Sequence, residues 1–143
     1  MTIARIHNTV TGTRLPRTKL VRLAEIVLRS QGVRKSVNLV LVSDKAMRQL
    51  NQRFRRQDRA TDVLSFAMEE DSDPLLGEIY ISIPTARRNA TGEGRRLDEE
   101  LLQLFCHGLL HLTGTHHPNA RARAKMKRLE DHYLSRLTKG GKR

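Results

Sequence analysis

The chain has 143 residues, enough for one domain with a real core and no need of disulfide or metal staples. Its 27 Lys and Arg against 15 Asp and Glu give a formal net charge of +12, which favours a polyanionic partner: RNA, DNA or an anionic membrane. No stretch approaches the roughly 18 apolar residues of a spanning helix, the start MTIARIHNTVTGTR lacks the apolar run of a secretory signal, and the single Cys106 cannot form an internal disulfide, so a soluble, cytoplasmic protein is expected.

In chain order, TIARIH alternates as a first strand does, although the absence of acidic residues before Glu25 is a composition shared with organelle-targeting peptides. Pro16 opens a helix whose Leu20, Leu23, Ala24, Val27 and Leu28 recur at helical spacing, and Gly32 stops it. SVNLVLVSD, residues 36–44, is dense enough in β-branched and apolar residues for a strand buried on both faces. Ser43 or Asp44 then caps a helix carrying Met47, Leu50 and Phe54. VLSFAM, residues 63–68, and GEIYIS, residues 77–82, read as strands joined by the acidic turn EEDSDP, hence a hairpin. Pro84 starts a short helix ended by Gly92 and Gly94, a strongly apolar helix covers 97–113, and after Pro118 a last amphipathic helix carries Met126, Leu129, Tyr133 and Leu137. The expectation is one α/β (α+β) domain over residues 1–143, a mixed sheet of about four strands packed with about five helices, with 138–143 as a flexible basic tail.

HGLLHLTGTHH, residues 107–117, holds four of the six histidines. Residues four apart share a helix face, so His107 and His111 project toward one point. Gly114 can take the left-handed conformation that ends a helix, and the reversed chain returns His117 to the same point. Three neutral imidazoles suit one Zn²⁺ ion and leave a fourth position for water, the arrangement of a catalytic site. His116, next to His117, points elsewhere and either supports the ligands from behind, lies at the surface, or replaces one of them. His7 and His132 stand alone and are read as structural or solvated. Glu100, two turns before His107, and Gln103, one turn before it, are candidates to hold an imidazole in its tautomer, with a solvent-facing Glu100 as the competing reading.

The HxxxHxxGxxH spacing is shared with metzincin proteases, in which a Glu follows the first histidine as general base. Here that position is Gly108, and losing a general base typically costs about 10² to 10⁴ in rate, so a metzincin-like zinc protease is the second choice.

HGLLHLTGTHH also closely resembles the HGxLHLxGxDH signature of the YbeY family of metal-dependent endoribonucleases. FRRQDRATDVLSF, residues 54–66, resembles the family's aromatic-Arg segment ending in TDVLSF, GEIYIS its GDIxIS strand, and MKRLEDHYL its closing helix. The resemblance covers most of residues 36–137 and departs from the family at His116, where Asp is usual. It implies that His107, His111 and His117 are the zinc ligands and that Arg55 is the functional arginine. It further implies cleavage of single-stranded RNA in ribosomal RNA maturation, notably at the small-subunit 3′ end, and in ribosome quality control, with ribosomal RNA and the small subunit as partners.

A planar guanidinium at Arg55 can grip a phosphate in two places and offset the charge that gathers there during displacement. Arg53, Arg56, Arg59, Arg87 and Arg88, with Arg95 and Arg96, suit a groove that tracks phosphates, and equally suit a solvated basic face. Thr61, Asp62 and Ser65 are read as structural, pinning the strand beside the site or closing a turn. With three Phe, two Tyr and no Trp, binding is expected to come mostly from backbone charge. No nucleotide cofactor and no membrane partner are expected. A ribosome-binding assembly factor with structural zinc is the non-enzymatic alternative.

Overall fold

The computed structural model describes residues 2–114 and 119–140, and in them four strands and five helices follow one another as β1 (Ala4–Asn8), α1 (Arg17–Ser30), β2 (Ser36–Val42), α2 (Asp44–Arg55), β3 (Val63–Ala67), β4 (Leu75–Ser82), α3 (Ile83–Gly92), α4 (Leu97–Leu112) and α5 (Ala120–Gly140). The strands form one mixed sheet in the order β1-β2-β4-β3. β2 runs parallel to β1 and to β4, and β3 closes one edge as the antiparallel hairpin partner of β4, with Ser65 opposite Ile79. Parallel neighbours need a crossover, which α1 supplies between β1 and β2.

Alternation in β2 and β4 divides the core in two. Val37, Leu39, Leu41, Ile79 and Ile81 are fully buried under α1, α4 and α5 with Leu20, Leu23, Leu101, Phe105 and Leu109. The opposite face carries the smaller α2 and a smaller cluster, Val42, Met47 and Leu64 with half-buried Val40, Leu50, Phe66 and Tyr80. β2 is therefore sealed on one face and half-covered on the other, because a single short helix is all that packs there. α2 begins at Ser43, whose side chain accepts from the Ala46 N–H at 3.2 Å, and ends at Arg56 in the left-handed region with φ 55°. Buried Asn51 ties down the following loop through the Arg59 carbonyl at 2.9 Å.

Phe54, at a helical interval after Met47 and Leu50, stands 52 % exposed: it lies in the last turn of α2 at the open edge of the sheet, where its ring meets Phe66 of β3. α5 runs through Gly140, with the Thr138 hydroxyl donating to the Leu134 carbonyl at 3.2 Å, so the first residues of the expected tail belong to this helix; residues 141–143 lie outside the described part. Among the described residues no helix is long and apolar enough to cross a membrane.

Candidate active site

The site forms at the open edge of β3, where α2 reaches it from one face of the sheet and α4 from the other. α4 lies directly on the strands because of Gly108: a Cβ there would stand 2.9 Å from Ile79 Cγ2 and 3.0 Å from Ser65 Oγ. The close approach that glycine permits turns residue 108 into the sheet and its neighbours outward. His107 and His111, half-buried and one turn apart, present rings with centroids 4.8 Å apart at 60°. Position 108, where a metzincin-like Glu would sit, faces packed side chains, so it offers a general base no room.

Arg55 arrives around the edge. It ends α2, its Nη2 donates to the Ser65 carbonyl at 3.2 Å, and its guanidinium carbon lies 5.2 Å from the Phe66 ring centroid. The edge strand has no partner strand on that side, so a β3 carbonyl can take the arginine. Arg55, Val63, Leu64, Ser65, His107 and His111 together line a cleft of about 160 Å³. A larger hollow of about 580 Å³ beside the N-terminal ends of β1 and β2 is lined by Arg29, Arg34, Lys35 and aliphatic side chains, with no imidazole or carboxylate among its lining.

The carboxylate behind His107 is Glu130, which sequence reasoning had not singled out. Glu130 is 5 % exposed, and its Oε2 lies 2.8 Å from His107 Nδ1. It sits on the buried stripe of α5 with Met126, Tyr133 and Leu137. The helix is held in place by the Tyr133 hydroxyl, which donates to Ser30 Oγ at 3.0 Å and accepts from Gln31 Nε2 at 2.9 Å. An imidazole that donates Nδ1–H to a buried carboxylate is fixed in tautomer and ring orientation, the state in which an imidazole that binds a metal does so through Nε2.

Glu100 is buried as well, which removes its solvent-facing reading, but its carboxylate takes Arg95 Nη1 at 3.1 Å and Asn89 Nδ2 at 3.5 Å. Burial pushes its carboxyl above the ordinary range even with the Arg95 charge beside it. Asn89 also reaches Asp62 Oδ2 at 3.3 Å, and Asp62 Oδ1 accepts from the Val63 N–H at 2.8 Å, so this network pins the start of β3. That is the structural role expected of Asp62. His116 and His117 lie outside the described residues, as does the expected third ligand position; among the described residues no three metal-ligating side chains come together.

The basic candidates divide by partner. Arg88 is held by Asp44 at 2.8 Å and Arg95 by Glu93 and Glu100, each at 3.1 Å, while Arg96 pairs with Asp98 at 3.4 Å. Arg59 donates to Gln57 at 3.1 Å, Arg53 lies over the Phe54 ring, and Arg56 and Arg87 are exposed. Sequence reasoning passed over Glu130 and the surface role open to Phe54. A signal for the first was present: residues 126, 130, 133 and 137 recur at helical spacing, and Glu130 is the one carboxylate among three apolar members.

The family model described as Endoribonuclease YbeY matches residues 5–138, a span that includes Arg55, all three expected histidine ligands and Glu130. The chain belongs to the YbeY family. A YbeY relative named Endoribonuclease YbeY from Synechococcus sp. (strain JA-3-3Ab) is 43% identical over 128 residues, covering 81% of this chain and 78% of its own. One of the same name from Aquifex aeolicus (strain VF5) is 36% identical over 125 residues, covering 85% and 83%. The solution structure of a Thermotoga maritima protein superposes with a TM-score of 0.68 at 30% identity, over 97% of this chain and 91% of that one. Membership of the YbeY family accounts for the order of the segments around the cleft: the aromatic-Arg segment, the TDVLSF strand and the histidine helix all border it.

Proposed function

We propose that the protein is a zinc-dependent, single-strand-specific endoribonuclease that acts in the cytoplasm on ribosomal RNA, with one zinc ion held by His107, His111 and His117. The observation that carries this reading is the convergence of Arg55, His107 and His111 on one cleft, with a buried carboxylate at Nδ1 of His107. The donor set fits zinc: two imidazoles one helical turn apart, one of them oriented from behind by a carboxylate, are ligands of the borderline-soft type that zinc takes. Family membership and the net charge of +12 support an RNA substrate. The small-subunit 3′ end, the small subunit as partner and a part in ribosome quality control follow from the family resemblance.

Bound zinc would supply Lewis acidity, polarising a phosphate oxygen or making a water a stronger nucleophile. The chain's own part is positioning and charge. Arg55, steadied by the Ser65 carbonyl and the Phe66 ring, is placed to grip the scissile phosphate and offset the negative charge that develops on its oxygens. Val63 and Leu64 give the cleft an apolar wall that strengthens both interactions by excluding water.

The test is incubation of the purified protein with single-stranded and duplex RNA of one sequence, with chelator, and with zinc restored. Internal cleavage of the single strand that stops with chelator and returns with zinc is expected. Cleavage that survives complete metal removal overturns the zinc assignment. Full zinc content with no cleavage of any RNA favours the assembly-factor reading, and hydrolysis of a peptide substrate favours the protease.

A further inference from the structure

Three of the chain's five aromatic side chains form one row beside the cleft: Phe54 and Phe66 have ring centroids 5.2 Å apart, and Phe66 and Tyr80 5.8 Å. Phe66 and Tyr80 are half-buried against α2, whereas Phe54 is the one exposed large hydrophobic side chain among the described residues. Guanidinium groups alternate with these rings. Arg53 lies 5.3 Å from the Phe54 centroid and Arg55 lies 5.2 Å from that of Phe66. Segment 53–59, RFRRQDR, carries one acidic residue, Asp58, and Arg48 engages it through two hydrogen bonds of 2.6 and 3.1 Å. An apolar ring set among uncompensated positive charge, on the same turn of helix as the arginine of the cleft, is matched by a polyanion that also presents flat apolar faces.

We propose that Phe54 is a stacking platform for an unpaired base next to the phosphate at Arg55, and that this ring contributes the preference for single strands. The assignment rests on the ribonuclease reading above. In a duplex each base is already stacked between its neighbours and has no face to give to Phe54; in a single strand a base can be splayed out onto the ring while its phosphate stays at the cleft. The chain, poor in aromatics as a whole, thus keeps an aromatic where a nucleotide adjoining the reacting one would lie.

The experiment uses the full chain and short single-stranded RNAs with 2-aminopurine at each position in turn, the fluorescence being read in stopped flow before cleavage. At one position the fluorescence is quenched on binding by the wild type and by Phe54→Tyr and Phe54→Trp. The quench is lost in Phe54→Ala and in Phe54→Leu, which keeps an apolar contact with Phe66 without a π-face. Affinity for the single strand falls about ten- to a hundredfold in both, while affinity for a duplex of equal length changes by about twofold or less. Phe54→Leu binding and quenching like the wild type overturns the platform and leaves the nuclease reading standing. Single-strand and duplex affinities falling together also overturn it, as does a dimer that Phe54→Leu dissolves, since the ring would then serve a second copy of the chain. A wild type that binds no single-stranded RNA removes the nuclease reading and the platform with it.

Discussion

Glu130 Oε2 lies 2.8 Å from His107 Nδ1, although the two residues are on different helices and 23 positions apart. Packing of α5 across α4 makes the meeting possible, so the last helix of the chain sets the orientation of an imidazole on the one before it. Partners of this kind usually contribute about 10- to 100-fold to metal affinity or activity. Glu130→Ala is expected to weaken zinc binding and RNA cleavage by that order, and Glu130→Gln, which keeps an acceptor oxygen in place, by less. Nitrogen-detected NMR of the His107 ring checks the cause directly: the Nδ1–H signal should be protected in the wild type and exchange rapidly in the alanine variant. A protected signal and unchanged zinc affinity in Glu130→Ala would show that the pair has no positioning role.

His111→Ala should remove stoichiometric zinc and RNA cleavage together, because two imidazoles hold the ion too weakly to survive dilution. His111 is half-buried at the cleft, so the fold should persist and circular dichroism should stay close to that of the wild type. Metal analysis after gel filtration decides the matter, and full occupancy in this variant excludes the three-histidine site.

Much of this architecture was legible in the chain. The dense apolar run of residues 36–44, the short strand runs 63–68 and 77–82 and the apolar helical pattern of 97–113 point to the sheet and its covering helix. The pairing of His107 with His111 follows from helix geometry alone. Glu130 was not found, because its role depends on how α5 crosses α4, a tertiary relationship without a local period. For the same reason Glu100 looked like a partner for the histidines: helical spacing put it on a suitable face, but Arg95 and Asn89 were closer. Phe54 falls at a helical interval after Met47 and Leu50, yet α2 brings it to the open edge of the sheet, where one side of its ring meets Phe66 and it stays 52 % exposed.

Glu100 gives the molecule a pH dependence of definite sign. Below about pH 3 the carboxyl is protonated in the folded and unfolded chains alike. As pH rises, the unfolded chain gives up that proton first, because burial holds the folded pKa above the ordinary value, and the native state loses stability until the folded group ionises too. Glu100→Gln cannot ionise and is spared this loss. Its melting temperature relative to the wild type should therefore rise between pH 4 and pH 7, because the Arg95 ion pair, which forms only as Glu100 ionises, is outweighed by burial. A relative melting temperature that falls over the same range would mean that Arg95 outweighs burial.

Arg55→Glu separates catalysis from general basicity. The side chain is exposed and its hydrogen bond to the Ser65 carbonyl is worth about 1 kcal/mol or less, so the variant should fold, and it should take up zinc normally. Removing an electrostatic stabiliser of the transition state commonly costs on the order of 10² to 10³ in rate, and a carboxylate beside the phosphate adds repulsion. The control must be an arginine outside the cleft whose loss disturbs nothing else. Arg88 fails that condition: it holds Asp44, which also accepts from Ser82 Oγ at 2.6 Å and Thr85 Oγ1 at 2.7 Å, and a glutamate there would face Asp44 where α2 and α3 begin. Arg87, exposed on α3, is the better choice. Arg87→Glu should weaken RNA binding modestly and reduce its salt dependence by about one phosphate contact, with the chemical step intact. Single-turnover rates at saturating RNA isolate that step from binding. Equal rates for the two variants would place Arg55 in the general basic surface and leave His107 and His111 to act without it.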